Sequence, residues 1–220
     1  MKALQFCKVD MIRSRSQLRI LLVFAVFAFF ISRGTSMGSL FGVVYMVFGA
    51  IIFSAQPFNI EQVEESGFIN MLPGTKRDRV AGRFLFSLAL LTFAILVGAI
   101  IAVVMRHQAG VFGENYINLF AGIAAIGLTV SSLQNILFYA IGKGKSQQMM
   151  SIIRMVPGFA VFFIGMTIIE KLQGNSGTFY TKWIIAHANV FFTSILGIAV
   201  ILFAAGIFIS TALIQKRDFN

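Results

Sequence analysis

Charge is scarce in this chain: 12% of its 220 residues are Asp, Glu, Lys or Arg, and the acids number 8. A soluble domain carries about 25% charged residues, so half that supply leaves too little polar surface for a globule in water. Cysteine is scarcer still. Cys7 stands alone, which excludes an intrachain disulfide and argues against a Cys-based metal site. The two histidines, His107 and His187, have no second ligand at metal-binding spacing. No apolar stretch reads as a cleavable signal peptide, because the first lacks a small-residue cleavage site and leads into another. What is abundant is apolar sequence, 58% of the chain, laid out in long runs. The net charge of +10 could point to nucleic acid. The basic residues instead gather at the ends of apolar runs, as membrane topology requires, and no basic, aromatic-interleaved face is present.

A spanning helix needs about 20 mainly apolar residues. Six runs qualify as expected spans: Arg19 to Arg33, Gly38 to Phe58, Arg83 to Met105, Asn118 to Ile141, Ile153 to Ile169, and Val190 to Ile214. The first is short, with Arg19 and Arg33 snorkelling to opposite interfaces. Orientation follows from Lys and Arg. The N-terminus (Lys2, Lys8, Arg13, Arg15, Arg19), the segment after span two (Lys76, Arg77, Arg79, Arg83), the one after span four (Lys143, Lys145, Arg154) and the C-terminus (Lys216, Arg217) together hold 14 of the 18 basic residues. Arg33, Arg106, Lys171 and Lys182 fall on the other side. Both termini are therefore expected in the cytoplasm, which requires an even number of crossings. The expected organisation is an amphipathic interfacial helix over 1–18, with Leu4, Cys7, Met11 and Ile12 at helical spacing, then a transmembrane domain over 19–220. Within it lie a cytoplasmic segment over 59–82 and an extracellular one over 170–189, the latter bearing Tyr180 and Trp183.

The segment after span two is the most informative. Asn59-Ile60-Glu61-Gln62 places a cap residue three positions before Gln, a helix-start signature. Glu61, Glu64 and Glu65 follow within one or two turns, with Val63 and Phe68 as apolar contacts and Gly67 as a stop. A second start comes at Thr75-Lys76-Arg77-Asp78, after Pro73. Acids beside a negatively charged leaflet are unfavourable unless something neutralises them. Two readings stand: a solvated loop whose acids pair with its basic half, or a docking helix for a soluble partner.

The stretch Leu72-Pro73-Gly74-Thr75-Lys76-Arg77-Asp78-Arg79-Val80-Ala81-Gly82-Arg83-Phe84-Leu85 resembles the motif of a branch of type-2 ABC transporter permeases, roughly Leu-Pro-x-Ser/Thr-Arg/Lys-x-Asp/Glu-x-Val-x-Ala/Gly-Arg-Tyr-Leu. Gly74 replaces a usually larger residue and Phe84 the usual Tyr. The closing Gln215-Lys216-Arg217-Asp218-Phe219 is also similar to the family's C-terminus. Within the family, the chain looks most like permeases that export amphipathic peptide toxins such as phenol-soluble modulins. The resemblance implies an all-α, six-span permease of a bacterial cytoplasmic membrane, moving cargo outward by alternating access. It implies pairing with a second permease copy, a homodimer by preference, and docking of ATP-binding cassette subunits that bind the ATP and Mg. No cofactor and no ATPase site are then expected in this chain. Carried over, the coupling helix is Asn59 to Phe68, with Glu61, Glu64, Glu65 and Phe68 as contacts, and the motif residues Leu72, Pro73, Thr75, Asp78 and Arg83 follow it. A lesser contact would come from Ser146 to Ser151.

Gly144-Lys145-Ser146 mimics the end of a phosphate-binding loop, but Tyr139 stands where the leading Gly is needed, and a membrane helix precedes it. The spans hold hardly any acids, so a proton- or sodium-coupled relay has no obvious carrier. Ser131, Ser132, Gln134 and Asn135 form a polar cluster in span four; they must face protein or a cavity and are the candidates for lining a path. Gly34, Gly38 and Gly42 recur every four residues, either packing spans one and two or forming a dimer seam. The alternative to a transporter is a membrane-embedded interaction or immunity protein with no transport cycle. A small channel is disfavoured, because no polar ring recurs across the spans.

Overall fold

Within hydrocarbon a backbone must satisfy its own polar groups, and a continuous apolar run does so by coiling into a helix. The computed structural model describes residues 2–34, 39–63, 73–104, 116–141, 147–173 and 187–217. All regular structure among them is α-helical: α1 (Lys2–Arg13), α2 (Arg15–Gly34), α3 (Ser39–Ser54), α4 (Gln56–Val63), α5 (Lys76–Val104), α6 (Tyr116–Ile141), α7 (Gln147–Gln173) and α8 (Ala188–Arg217). Four stretches are long and apolar enough to cross a membrane: Leu40–Glu61, Lys76–Val104, Ile117–Ile141 and Ala188–Lys216. The bent pair α1 and α2, taken as one span, raises that number to 5. In α7, which is 27 residues long, the apolar part covers only Ser151–Ile164. The described residues thus show four to five apolar membrane helices.

α3 is the hub, touching α2, α5, α6 and α7. Apolar residues surround it on every side, and a helix of that kind belongs in the interior. Val43, Val44, Met46, Val47 and Ile51 are completely buried. Aromatic rings join it to α7, with Phe48 lying 5.2 Å from Phe159 and Phe41 5.6 Å from Phe162. α8 sits at the rim, with 22% of its span buried against 83% for the Leu40–Glu61 stretch of α3 and α4. It leans on α6 through a 2.7 Å bond from Asn118 Nδ2 to Asn189 Oδ1. Outward-facing Phe30, Ile100, Val103, Ile201 and Phe208 give the apolar exterior that lipid contact requires.

One expectation needs revision, and one open choice is decided. The helix expected to start at Asn59 begins three residues earlier, at Gln56, as a continuation of α3 past a break at Ala55. Pro57 has no N–H for the Phe53 carbonyl, so the ladder stops there and restarts with Pro57 in the first turn, where no donor is needed. The small-residue stripe, at Gly42, is used inside the chain. A Cβ there would lie 2.6 Å from Ser32 Oγ of α2 and 3.2 Å from Ile101 of α5, so Gly42 packs spans one and two together. Gly38 lies outside the described residues.

Candidate functional site

Four charged side chains meet where α1, α4 and α5 converge. Asp10, Glu61 and Arg83 are 5%, 7% and 2% exposed, deeper than such groups go unless paired. Arg83 Nη2 lies 2.5 Å from Glu61 Oε1, and Arg79 donates to the same oxygen. Arg83 Nε stands 3.4 Å from Asp10 Oδ2. Two cations and two carboxylates leave the node neutral, the condition under which buried charge is tolerated. An aromatic wall closes it: the Arg83 guanidinium lies 4.3 Å from the centroid of Phe58. Phe58 in turn stacks on Phe138 at 4.5 Å and meets Tyr139 edge-on at 5.1 Å, which brings α6 into the node.

Local chemistry aims each group inward. Phe58 and Glu61 are three apart on α4, and Arg79 and Arg83 four apart on α5, so each pair shares a helix face. Asp10 lies with Phe6 and Cys7 on the buried side of α1, whereas Leu4 and Ile12 are exposed. Glycine allows α1 to come this close. A Cβ on Gly82 would sit 2.6 Å from Phe6 Cβ and 2.9 Å from the Ala3 carbonyl, and one on Gly74 would sit 2.6 Å from the Phe6 ring. The smallness of Gly74 therefore seats Phe6. The entry to α5 is held by Thr75 and Asp78: Thr75 N–H and Oγ1 donate to Asp78 Oδ2 at 2.9 and 2.6 Å, and Asp78 N–H donates to Thr75 Oγ1 at 3.2 Å. This is the reciprocal capping arrangement, with the acid also favoured near a helix N-terminus. Burial pushes the Asp10 carboxyl above the usual carboxylate range, while the Arg83 charge pulls it down.

The sequence-selected residues divide between two places. Glu61 and Arg83 come together in the node, where the Glu61 carboxylate faces Arg79 and Arg83. Pro73 and Thr75 are exposed and Asp78 is half-buried. Glu64, Glu65, Phe68 and Leu72 lie outside the described residues, as does 142–146. Ser131, Ser132, Gln134 and Asn135 form a separate layer in α6, all buried against protein. Asn135 Nδ2 donates to Ser87 Oγ of α5 at 3.1 Å, and Ser132 Oγ to the Leu202 carbonyl of α8 at 3.3 Å. Asp10, Arg79, Phe58 and Tyr139 were not singled out from sequence. A signal existed for two of them: Asp10 is the one acid before Glu61, and Arg79 stands four residues before Arg83. Among the described residues no three His, Cys, Asp or Glu side chains converge as a metal site.

This arrangement defines a class first: a polytopic helical membrane protein whose terminal helix and inter-span segment are locked to a helix entry by buried charge. The family follows from comparison. The family model described as ABC-2 family transporter protein matches residues 7–215, and the chain belongs to that family, the membrane permeases of ABC transporters. No curated protein and no solved structure matches it.

Proposed function

We propose that the chain is the permease subunit of an ATP-driven exporter, crossing a bacterial cytoplasmic membrane six times with both termini inside and working as a dimer, preferably of identical copies. The hydrolysing subunits are separate ATP-binding cassette proteins, which supply the ATP and Mg sites. The observation that carries this reading is the charge node. It joins α4, the start of α5 and α1 into one body, so that a push on the segment between α4 and α5 reaches two helices together.

In this reading the coupling segment spans α4 and the residues after it. Glu64, Glu65 and Phe68 meet the ATPase, while Glu61 anchors the segment to Arg79 and Arg83. Of the motif residues Leu72, Pro73, Thr75 and Asp78, the last two set where α5 begins through their reciprocal cap. ATP-driven closure of the partners moves this body and switches the dimer between inward and outward states. The cargo is an amphipathic peptide or a similar lipid-like molecule, matched to the Phe-rich spans. The polar residues Ser131, Ser132, Gln134 and Asn135 form the wall of its path when α6 parts from its neighbours.

Exchanging Glu64→Lys together with Glu65→Lys is expected to abolish co-purification with the cognate ATPase while the permease stays folded. Undiminished co-purification removes the docking role.

A further inference from the structure

Pro157 sits inside α7. It has no N–H, so the carbonyl four residues earlier, that of Ile153, loses its helical donor. An unsatisfied carbonyl inside a bundle is costly, and proline is tolerated in such helices when a neighbour supplies the missing bond. The neighbour here is Gln134 of α6. Its Nε2 donates to the Ile153 carbonyl at 3.2 Å and to the Arg154 carbonyl at 3.2 Å. The Gln134 side chain has no exposed surface. Its Oε1 faces Ser54 Oγ of α3 at 3.1 Å. With two carbonyl oxygens on one side of the amide and a hydroxyl on the other, the amide orientation is fixed.

The two halves of α7 are held by different means. Beyond Pro157, Gly158 lies against Ile52 and Phe48 of α3, and Phe159 and Phe162 pack on Phe48 and Phe41. Before Pro157, Met149, Ile152 and Met155 are exposed, and the Gln134 bonds grip the backbone. Among the described side chains, the first half thus joins the core through Ile153 and is gripped by the Gln134 bonds, while the second is held by aromatic packing on α3.

We infer that Pro157 is a hinge in α7 and that Gln134 is its latch: a positioning residue whose amide holds residues 147–156 in line with the rest of the helix. The inference rests on the proposed function for its purpose, since the hinged half leads from the second segment expected at the ATPase. Its geometry stands without that reading.

The test uses the full chain in lipid nanodiscs, with Cys7→Ser and spin labels at Met149→Cys and Phe163→Cys. These positions are about 21 Å apart along a straight helix, at about 1.5 Å per residue. The distance distribution is expected to be narrow in the parent and to broaden, or gain a second population, with Gln134→Met. In a Pro157→Ala background, where the Ile153 carbonyl regains its helical donor, Gln134→Met is expected to leave the distribution narrow. If Gln134→Met folds only in the Pro157→Ala background, that rescue is the same result. A narrow distribution for Gln134→Met with Pro157 present, or equal broadening in both backgrounds, overturns the latch. Stimulation of the partner ATPase is measured on the same samples and is expected to fall with Gln134→Met. A parent that stimulates no ATPase counts against the proposed function, while the distances still decide the hinge.

Discussion

Two polar regions hold this bundle together, and they are built differently. Where α1, α4 and α5 meet, the bonds are ionic: Asp10, Glu61, Arg79 and Arg83. Further along α6, amides and hydroxyls are used: Ser87, Ser132, Gln134 and Asn135, bonded across to α5, α7 and α8. The difference follows from desolvation. An ion taken from water costs several kcal/mol that a well-placed partner must repay, whereas a neutral amide that finds a carbonyl comes close to balance. Full charges are therefore kept beside the basic helix ends, and the interior of the apolar layer is joined by dipoles. The ionic region should fail abruptly when one partner is removed, and the neutral region by degrees.

Arg83→Met is the harshest way to break that contrast. It leaves two buried carboxylates with one guanidinium, and a loss of about 3–5 kcal/mol is expected, read as a large drop in the thermal midpoint in nanodiscs. Arg83→Lys should recover only part of it, since one ammonium cannot reproduce the fork of donors. Gly82→Val comes next. It forces a side chain into the Phe6 and Ala3 contact and should cost about 1–3 kcal/mol by overpacking, with α1 becoming sensitive to protease. In the neutral layer, Asn135→Leu loses one bond to Ser87 and is expected to cost about 1 kcal/mol, in line with interhelical hydrogen bonds in membranes. Thr75→Ala, at an exposed cap, should lower the midpoint least. A larger effect for Asn135→Leu than for Arg83→Met would reverse the ranking and with it the account of the two regions.

Much of this was legible in the sequence, because apolar run length and caps are local properties. The long helices follow from the runs, and the start of α5 from Thr75 and Asp78. The node was not legible as a node. Pairing of the segment's acids with its basic half was one of two open readings, but neither the burial of Glu61 nor its particular partner Arg79, 18 residues away, is encoded by any periodicity. Asp10 reads as one more charge on an interfacial helix, because nothing local says that Gly82 lets that helix descend onto α5. The start of α4 was misplaced because Asn59 imitates a cap, while the break is made by Pro57. Gln134 was visible as a polar residue that must face protein. Its particular partner was hidden in a different helix, although a proline within an apolar run announces a carbonyl in need of a donor.

The most direct measurement concerns Glu61, the residue that ties the inter-span segment to the helix it is proposed to move. The permease carrying Glu61→Gln, which keeps the side chain's size, is reconstituted with its cognate ATPase in nanodiscs, and binding and ATP turnover are measured together. The expected result is that the ATPase still binds through Glu64 and Glu65 while permease-dependent stimulation falls toward the ATPase's unassisted rate. Stimulation equal to that of the parent, with binding intact, would contradict the role of the charge node in passing motion from the segment to the bundle.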